Sequence, residues 1–396
     1  MHHWFEVFRS FLWLGLTSFG GPIAHLAYFR NEFVERRAWL SEQQFADLLA
    51  LCQFLPGPAS SQMGFALGLQ RAGWRGGLAA WVAFTLPSAL LLLTAAWIGL
   101  TFQEGWGSHF VASLKLMAVI VVAHAVWGMR QQLCHDRATA TLGVLAALLM
   151  LGCSPWLGPL TPLVTLLIGG GLGWFLLQTP RQQNQVATAP LLLIQPWVAW
   201  LTLILFLLLL LLLPLLSQGE PSLVQIFDRF YRAGALVFGG GHVVLPMLEA
   251  EIVQAGWMGH EAFLAGYGLA QAVPGPLFTF AAYLGALVPT GWPLWVGALV
   301  ALVALFLPGL LILVALLPYW ARLQADQNAQ AILRGVNASV VGLLGAVLYD
   351  PLFTSSVHQP YDLMLVILGV LLLQIWRWPS WLMLLTLLPL GMLAQL

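Results

Sequence analysis

A proline-glycine-proline triplet, Pro56-Gly57-Pro58, interrupts a mostly apolar run that extends over residues 45–69. Proline removes a backbone donor and clashes with the preceding turn, and glycine adds conformational freedom, so no straight helix is expected there. The same triplet recurs as Pro274-Gly275-Pro276 within the apolar run 263–288. A broken backbone at membrane depth is tolerated only where it is buried in protein or lines an aqueous cavity. Two breaks in corresponding places therefore predict a transport site between two repeats.

The composition of the chain predicts a membrane protein. Of its 396 residues, 60% are hydrophobic and only 8% are charged, whereas soluble domains carry about 25% charged residues. Residues 197–216 are long enough to cross a bilayer and contain no charge. The net charge is zero, which gives no indication of nucleic-acid binding. Cys52, Cys134 and Cys153 lack the spacing of a metal site, so no metal or cofactor is expected, and the lipid bilayer is the expected partner.

The apolar segments predict an all-α polytopic membrane protein. Two of them, 5–27 and 227–248, are interrupted at Phe19-Gly20-Gly21-Pro22 and at Phe238-Gly239-Gly240-Gly241-His242. The segment 178–189 is polar, with four glutamines and one proline, and predicts a linker between two halves. Ordinary transmembrane helices are predicted at 77–101, 109–129, 139–152, 160–177, 197–216, 293–317, 331–348, 363–375 and 381–393.

The two halves of the chain align with each other. Gly15, Phe19, Gly20 and Gly21 recur in order as Gly234, Phe238, Gly239 and Gly240, and Trp39, Phe45, Gln53, Pro56, Gly57 and Pro58 recur as Trp257, Phe263, Gln271, Pro274, Gly275 and Pro276. Biased composition would repeat leucines, but it would not place glycine and proline in register, so the pattern indicates an internal duplication. The predicted division is a first repeat at 1–177, a linker with a connecting helix at 178–221, and a second repeat at 222–396.

The distribution of arginine predicts the topology. Connections 28–42, 70–76, 129–138 and 178–195 carry arginine, whereas 102–108, 153–159, 250–260 and 288–293 carry neither lysine nor arginine. Since cytoplasmic loops are enriched in these residues, both 28–42 and 70–76 are predicted to be cytoplasmic, with a re-entrant helical hairpin between them. Five predicted spans separate the two hairpin regions, and an odd number predicts inverted-topology repeats. Arg229 and Arg232 do not fit this arrangement.

The four breaks are predicted to form a site for a small anion. A helix that begins at membrane depth presents free N–H groups and the positive end of its dipole, and glycine lets an anion approach those amides. The alternative interpretation is close helix packing through small residues. The predicted substrate-binding residues are Gly20, Gly21, Pro22, Gln53, Pro56, Gly57, Pro58, Gln62, Gly239, Gly240, Gly241, His242, Gln271, Pro274, Gly275, Pro276 and Thr279, with Ser60, Ser61, Lys115 and Asn337 as further candidates.

Single polar residues near or within the apolar segments are open to two interpretations. Lys115 is the only lysine; it is either a functional intramembrane cation or a side chain that extends to the interface. His124, deeper in the same segment, is more simply a packed histidine than a proton carrier. Glu32, Glu249 and Glu251 are expected to be solvated loop charges.

The motifs resemble those of the chromate ion transporter family in its long two-repeat form, over nearly all of both halves. The resemblance rests on Phe19-Gly-Gly-Pro22, Phe33-Val-Glu-Arg-Arg37, Trp39-Leu-Ser-Glu42, Gln53, Pro56-Gly-Pro58, Gln62, Phe84-Thr-Leu-Pro87, Phe238-Gly-Gly-Gly-His242, Pro246, Glu249-Ala-Glu251, Gln271 to Thr279, Phe306-Leu-Pro308, Gly335-Val-Asn337 and Asp350-Pro351. It implies a bacterial inner-membrane protein that exports chromate, with sulfate as the similar oxyanion. It also implies coupling to the proton-motive force, with protons as the coupling ion. A homodimer is left open.

Two other functions are considered. The same scaffold would serve a carrier that takes up sulfate or another inorganic anion, because sulfate and chromate are tetrahedral dianions that this sequence does not separate. A membrane-embedded enzyme would need an intramembrane catalytic pair. Lys115 and His124 lie about 13 Å apart along one helix, at 1.5 Å per residue, which is too far for a direct pair. The chain is therefore not expected to be an enzyme.

Overall fold

The computed structural model describes residues 3–101, 106–178, 194–217 and 222–393, and within these ranges all regular structure is helical. The first-half helices are α1 (His3–Thr17), α2 (Gly21–Arg30), α3 (Glu42–Phe54), α4 (Ala59–Thr101), α5 (Trp106–Leu133), α6 (Arg137–Leu157) and α7 (Thr161–Leu176). A connecting helix, α8 (Pro196–Leu216), is followed by α9 (Leu223–Ala235), α10 (Val244–Leu248), α11 (His260–Ala272), α12 (Phe280–Leu287), α13 (Leu294–Leu316), α14 (Trp320–Ala325), α15 (Gln327–Val347), α16 (Thr354–Ser356), α17 (Pro360–Gln374) and α18 (Ser380–Leu393).

Short π- and 3₁₀-helical segments extend several of these helices. The π-helical segments are Asn31–Arg36, Glu249–Val253 and Leu348–Phe353, and the 3₁₀ segments are Gly158–Leu160, Gly241–Val243, Leu277–Thr279 and Leu317–Tyr319. Most of the predicted linker 178–189 lies outside the described residues.

The helix breaks predicted from glycine and proline are confirmed. Helix α3 begins at a capping box in which the Ser41 hydroxyl accepts from the Gln44 amide, and it ends at Phe54. Helix α4 begins only after the first Pro-Gly-Pro triplet, and the second triplet separates α11 from α12 in the same way. The glycine-rich sequences interrupt the chain between α1 and α2 and between α9 and α10.

Each broken segment folds back on the following helix through a pair of glycines. Inside α4 the chain reverses at Gly73, whose φ of +64° favours glycine. A Cβ on Gly68 would lie 2.3 Å from the Gly76 carbonyl oxygen, so the two arms pack at backbone distance. In the second half, a Cβ on Gly285 would lie 2.4 Å from the Gly297 carbonyl oxygen. The same glycine packing in both halves supports the duplication.

The two halves are interlocked rather than separate. Helix α5 packs against α17 and α18 of the second half, and α15 packs against α6 and α7 of the first. A Cβ on Gly342 would lie 2.0 Å from the Gly143 carbonyl oxygen, so α15 and α6 are also in backbone contact. These crossed helices place the break regions of both halves in one buried core.

Six helical stretches in the described part of the chain are long and apolar enough to cross a bilayer, which identifies a multi-pass membrane protein. They are Ala59–Gly99, Phe110–Leu133, Arg137–Leu176, Pro196–Leu216, Leu294–Ala325 and Gln327–Ser356. The predicted spans 139–152 and 160–177 correspond to α6 and α7, which belong to the single stretch Arg137–Leu176 and are separated by a bend at Gly158, where φ is +50°. The spans predicted at 363–375 and 381–393 correspond to α17 and α18, of 15 and 14 residues, shorter than the about 20 residues of a full crossing.

The expectation that Glu32, Glu249 and Glu251 are solvated is wrong, because they are only 9%, 4% and 8% exposed. Each lies in a π-helical segment that directly continues α2 or α10 rather than in an open loop. A charge is buried without a large penalty only when it is paired or hydrogen-bonded. Glu32 meets this condition by accepting from Arg37 Nε at 2.5 Å.

A corresponding ion-pair cluster in the second half accounts for the two misplaced arginines. Arg232 donates to Glu251 at 2.8 Å and to Asp228 at 3.1 Å, and the Arg229 guanidinium lies 4.3 Å from the centre of the Trp257 ring. A Glu251 carboxylate oxygen also lies 4.0 Å from Arg229, so carboxylates offset both arginines within the fold. A simple count of basic residues in the connections does not detect this pairing.

Candidate functional site

The Pro-Gly-Pro break of each half is hydrogen-bonded to the glycine break of the other. The Gly57 amide donates to the Val237 carbonyl at 2.7 Å, and the Gly275 amide donates to the Ser18 carbonyl at 2.9 Å. Val237 and Ser18 each directly precede a Phe-Gly-Gly sequence. The reciprocal pair places all four breaks at one interface between the halves.

The two glycine breaks also contact each other. A Cβ on Gly241 would lie 3.0 Å from Pro22 Cγ, and a Cβ on Gly21 would lie 3.9 Å from His242 Nε2. Gly21 opens α2 with a φ of +73°, and no side chain caps that helix start. His242 therefore faces an uncapped helix N-terminus, where partial positive charge accumulates.

Each Pro-Gly-Pro triplet packs against a proline-containing turn in the long helix of the other half. A Cβ on Gly57 would lie 2.8 Å from Gly309 Cα, one residue after Pro308 in α13. A Cβ on Gly275 would lie 2.8 Å from Ser88 Oγ, one residue after the proline inside α4. Gly57 and Gly275 have φ values of +117° and +101°, so glycine is required by both conformation and space.

Side chains bind carbonyl groups at the Pro-Gly-Pro breaks. Gln62 Nε2 donates to the Pro56 carbonyl at 2.9 Å and to the Gly309 carbonyl at 2.8 Å. In the second half, the Thr279 hydroxyl donates to the Pro276 carbonyl at 2.7 Å. Both side chains stabilise the broken backbone of their own half.

His242 is positioned by the helix that precedes the second triplet. Its Nδ1 lies 2.9 Å from the Tyr267 hydroxyl and 3.5 Å from Gln271 Nε2. When the Tyr267 hydroxyl donates to Nδ1, the ring proton lies on Nε2, the nitrogen that faces Gly21. The imidazole can then donate a hydrogen bond into the space between the glycine breaks.

Several buried polar atoms near the breaks have no hydrogen-bond partner among the described residues. They include Ser18 Oγ, His25 Nδ1, Ser61 Oγ, Gln62 Oε1, Thr85 Oγ1, His124 Nδ1 and Asn337 Oδ1. Asn337 Oδ1 would lie 3.4 Å from a Cβ on Gly239, beside the second glycine break. A buried polar group without a partner costs about 1–3 kcal/mol, and such groups call for an explanation such as water or a ligand.

The predicted site residues are brought together in part. The contacts described above involve Gly21, Pro22, Pro56, Gly57, Gln62, Gly239, Gly241, His242, Gln271, Gly275, Pro276, Thr279 and Asn337, and Pro58 Cδ would lie 3.1 Å from a Cβ on Gly309. Gln53 is exposed, and Lys115 is paired with Glu261 at 3.2 Å, at the start of α11. The Gly57 and Gly275 amides already bind protein carbonyls, so an anion would have to use other donors. His25, Tyr267 and Gly309 were not predicted; of these, only Gly309 adjoins a proline motif that repeats between the halves.

Comparison with known proteins identifies the family. The sequence profile described as "Chromate transporter" matches residues 5–174 and 224–392. The chromate transport protein of Pseudomonas aeruginosa is 30% identical over 352 residues, covering 87% of this chain and 80% of that protein. The chromate transport protein of Cupriavidus metallidurans is 29% identical over 383 residues, covering 93% and 88%. No solved structure matches. The chain belongs to the chromate transporter family, in the form that contains two family segments.

Proposed function

We propose that this protein is a secondary transporter that exports chromate across the bacterial inner membrane, and that the anion binds among the four breaks. The main support for this site is that the breaks converge at one interface, which contains buried polar atoms without a hydrogen-bond partner among the described residues. The break sequences contain no aspartate or glutamate. A tetrahedral dianion would find the helix start at Gly21 and the Nε2 of His242 there. Membership in a transporter family excludes the enzyme alternative.

Electrostatics favours the outward direction. Moving one charge through 100 mV is worth about 2.3 kcal/mol, and chromate carries two negative charges. In a cell that is negative inside, the membrane potential therefore drives the dianion outward. Uptake of the same dianion would require co-transported cations, which is the sulfate-uptake alternative.

Reconstitution tests the function directly. Liposomes that contain the purified protein should release internal chromate faster than protein-free liposomes. An inside-negative potassium diffusion potential should increase that rate. Sulfate enclosed together with chromate should slow chromate release if both dianions use one site. Chromate release equal to that of protein-free liposomes would overturn the proposal, and proton-driven sulfate uptake without chromate movement would establish the alternative.

The proposed topology has two inverted repeats with re-entrant Pro-Gly-Pro hairpins, and residues 1–177, 178–221 and 222–396 as its sequence units. Arg71 supports the first hairpin, because its guanidinium donates to Glu6 at 3.1 Å and lies 5.2 Å from the centre of the Trp39 ring. Trp39 precedes α3, and Arg71 ends the arm that follows the triplet. The two ends of this segment therefore meet at one side of the fold.

Cysteine labelling tests the inversion. Trp74 and Trp292 are 48% and 62% exposed and lie at the two predicted hairpin ends. In a chain whose three native cysteines are replaced by alanine, Trp74→Cys should react with an impermeant maleimide from the cytoplasmic side. Trp292→Cys should react from the other side. Labelling of both from the same side would refute the inverted arrangement.

A further inference from the structure

A polar cavity of about 390 Å³ lies apart from the four breaks. Glu249, Gln254 and His260 line one wall, and Asp350 and Ser154 line others. Glu249 is seven residues beyond His242, about 10 Å along a helix at 1.5 Å per residue. Ser154 and Gln254 belong to the sequence connections 153–159 and 250–260, which are both predicted to face outward. The cavity is therefore predicted to open toward the outer aqueous phase.

Glu249 differs from its neighbour Glu251 in how its charge is compensated. Glu251 is paired with Arg232 at 2.8 Å. Glu249, which is 4% exposed, accepts from the neutral Gln254 amide at 3.0 Å. Burial, with a smaller contribution from repulsion by Asp350, raises the pKa of Glu249 to about 7, although the Gln254 hydrogen bond opposes this. A carboxyl in this setting changes protonation near neutral pH.

Two other titratable residues line the cavity with Glu249. Asp350 faces it from the π-helical segment after α15, and His260 from the start of α11. The charged residues of α9 are engaged elsewhere: Arg229 and Arg232 pair with Glu251, and Asp228 pairs with Arg232. Among the described lining residues of α6, none is titratable. Two carboxylates that share a small cavity repel when both are ionised, and protonation of one removes that repulsion.

The walls of this cavity are continuous with the elements that reach the breaks. Gly241–Val243, α10 and Glu249–Val253 follow one another without interruption, so His242 and Glu249 lie on one helical segment. Asp350 follows α15, which carries Asn337 beside Gly239. A change in the distance between the Glu249 and Asp350 carboxylates would therefore move the segment that carries His242 relative to α15, at the second glycine break.

We propose that the cavity between Glu249 and Asp350 is a proton-binding site, and that its occupancy is coupled to anion movement at the breaks. This proposal rests on the proposed transport function. A hydronium ion of the outer aqueous phase transfers a proton to one oxygen of the Glu249 carboxylate: one O–H bond of hydronium breaks and one O–H bond forms on the carboxylate, which leaves water and a neutral carboxylic acid. Because the cavity is predicted to open outward, proton entry would accompany dianion exit.

The first test does not require transport. A carboxyl whose pKa is raised on folding contributes stability that is fully present below its unfolded pKa, about 4.5, and that is lost as pH rises through about 7. As the pH is raised from 4.5 to 7.5, the Tm of the purified wild-type protein in nanodiscs should therefore fall more than the Tm of Glu249→Gln. The exposed control Glu35→Gln should follow the wild-type curve. Parallel curves for wild type and Glu249→Gln would overturn proton binding at this site.

The second test measures coupling in proteoliposomes. For a group with a pKa near 7, the protonated fraction changes about tenfold between pH 6 and pH 8. The rate of chromate transport at pH 6 divided by the rate at pH 8 should therefore approach ten for wild type. The same ratio should fall to about one for Glu249→Gln. Glu35→Gln should keep the wild-type ratio. A wild-type ratio retained in Glu249→Gln would overturn the coupling.

Asp350→Asn provides an independent variant that keeps the oxygen that accepts from Thr354. It removes the repulsion that favours protonation of Glu249, so the midpoint of the pH profile should move to lower pH. An unchanged midpoint would contradict the role of the carboxylate pair.

Chromate counterflow by wild type at equal pH on both sides reports the proposed function separately. If counterflow is absent, the transport function fails, and the Tm comparison still decides whether the cavity binds a proton.

Discussion

Replacement of Gly57 by alanine is expected to abolish chromate transport. The alanine would have to adopt a φ of +117°, and such backbone strain costs about 1–3 kcal/mol. Its Cβ would also lie 2.8 Å from Gly309 Cα. Because Gly309 presents backbone and not a movable side chain, the two halves would have to separate locally. Separation would break the Gly57–Val237 hydrogen bond, which is worth about 0.5–1.5 kcal/mol.

The measurement is the rate of chromate release from proteoliposomes at matched protein content. Gly128→Ala is the matched control, because a Cβ at Gly128 meets no atom within 4 Å; its transport should equal wild type. Gly275→Ala should be less severe than Gly57→Ala, since its nearest neighbour is the Ser88 hydroxyl, which can rotate away. Full activity of a correctly inserted Gly57→Ala protein would refute the requirement for close contact between the breaks.

Replacement of His242 by alanine is expected to raise the KM for chromate by about 10- to 100-fold. A hydrogen bond to a charged group contributes about 1.5–3 kcal/mol, and each 1.4 kcal/mol changes affinity tenfold. His242 is chosen because its Nε2 faces Gly21 while its Nδ1 is held by Tyr267 at 2.9 Å. The loss should therefore affect binding of the anion more than the amount of folded protein.

Two variants separate this role from general destabilisation. Tyr267→Phe leaves the imidazole in place but removes the hydroxyl that orients it, so a smaller rise in KM is expected. His135→Ala removes a histidine whose side chain is 63% exposed and that lies outside the breaks, and it should behave as wild type. If His242→Ala has a wild-type KM, the anion does not bind beside the second glycine break.

Local chemistry made the helix breaks predictable. Proline and glycine act on the backbone where they stand, so the ends of α3 at Phe54 and of α11 at Ala272 follow from the two triplets. The role of the triplet glycines was less predictable. The expectation was that their amides would face an anion, but the Gly57 amide donates to Val237, a residue of the other half.

Burial of charge was the other feature that sequence patterns did not reveal. Glu32 and Glu251 stand in polar connections, where exposure is the usual outcome, and both are buried against arginines. Glu249 is two residues from Glu251, yet its carboxylate contacts a neutral amide and faces a cavity. Such a difference depends on the elements packed around each side chain, which adjacent sequence does not specify.

The sequence by itself determined that the chain is a multi-pass helical membrane protein, that its two halves are duplicated, and where their helices break. These properties follow from hydrophobicity, which is summed along each segment, and from the limits that proline and glycine place on their own backbone. Only the tertiary structure decided which breaks meet, which amides are already bonded and which carboxylates lose contact with water. Those properties arise from contacts such as Gly57 with Val237 and Gly275 with Ser18, between residues far apart in the chain and close only after the two halves interlock.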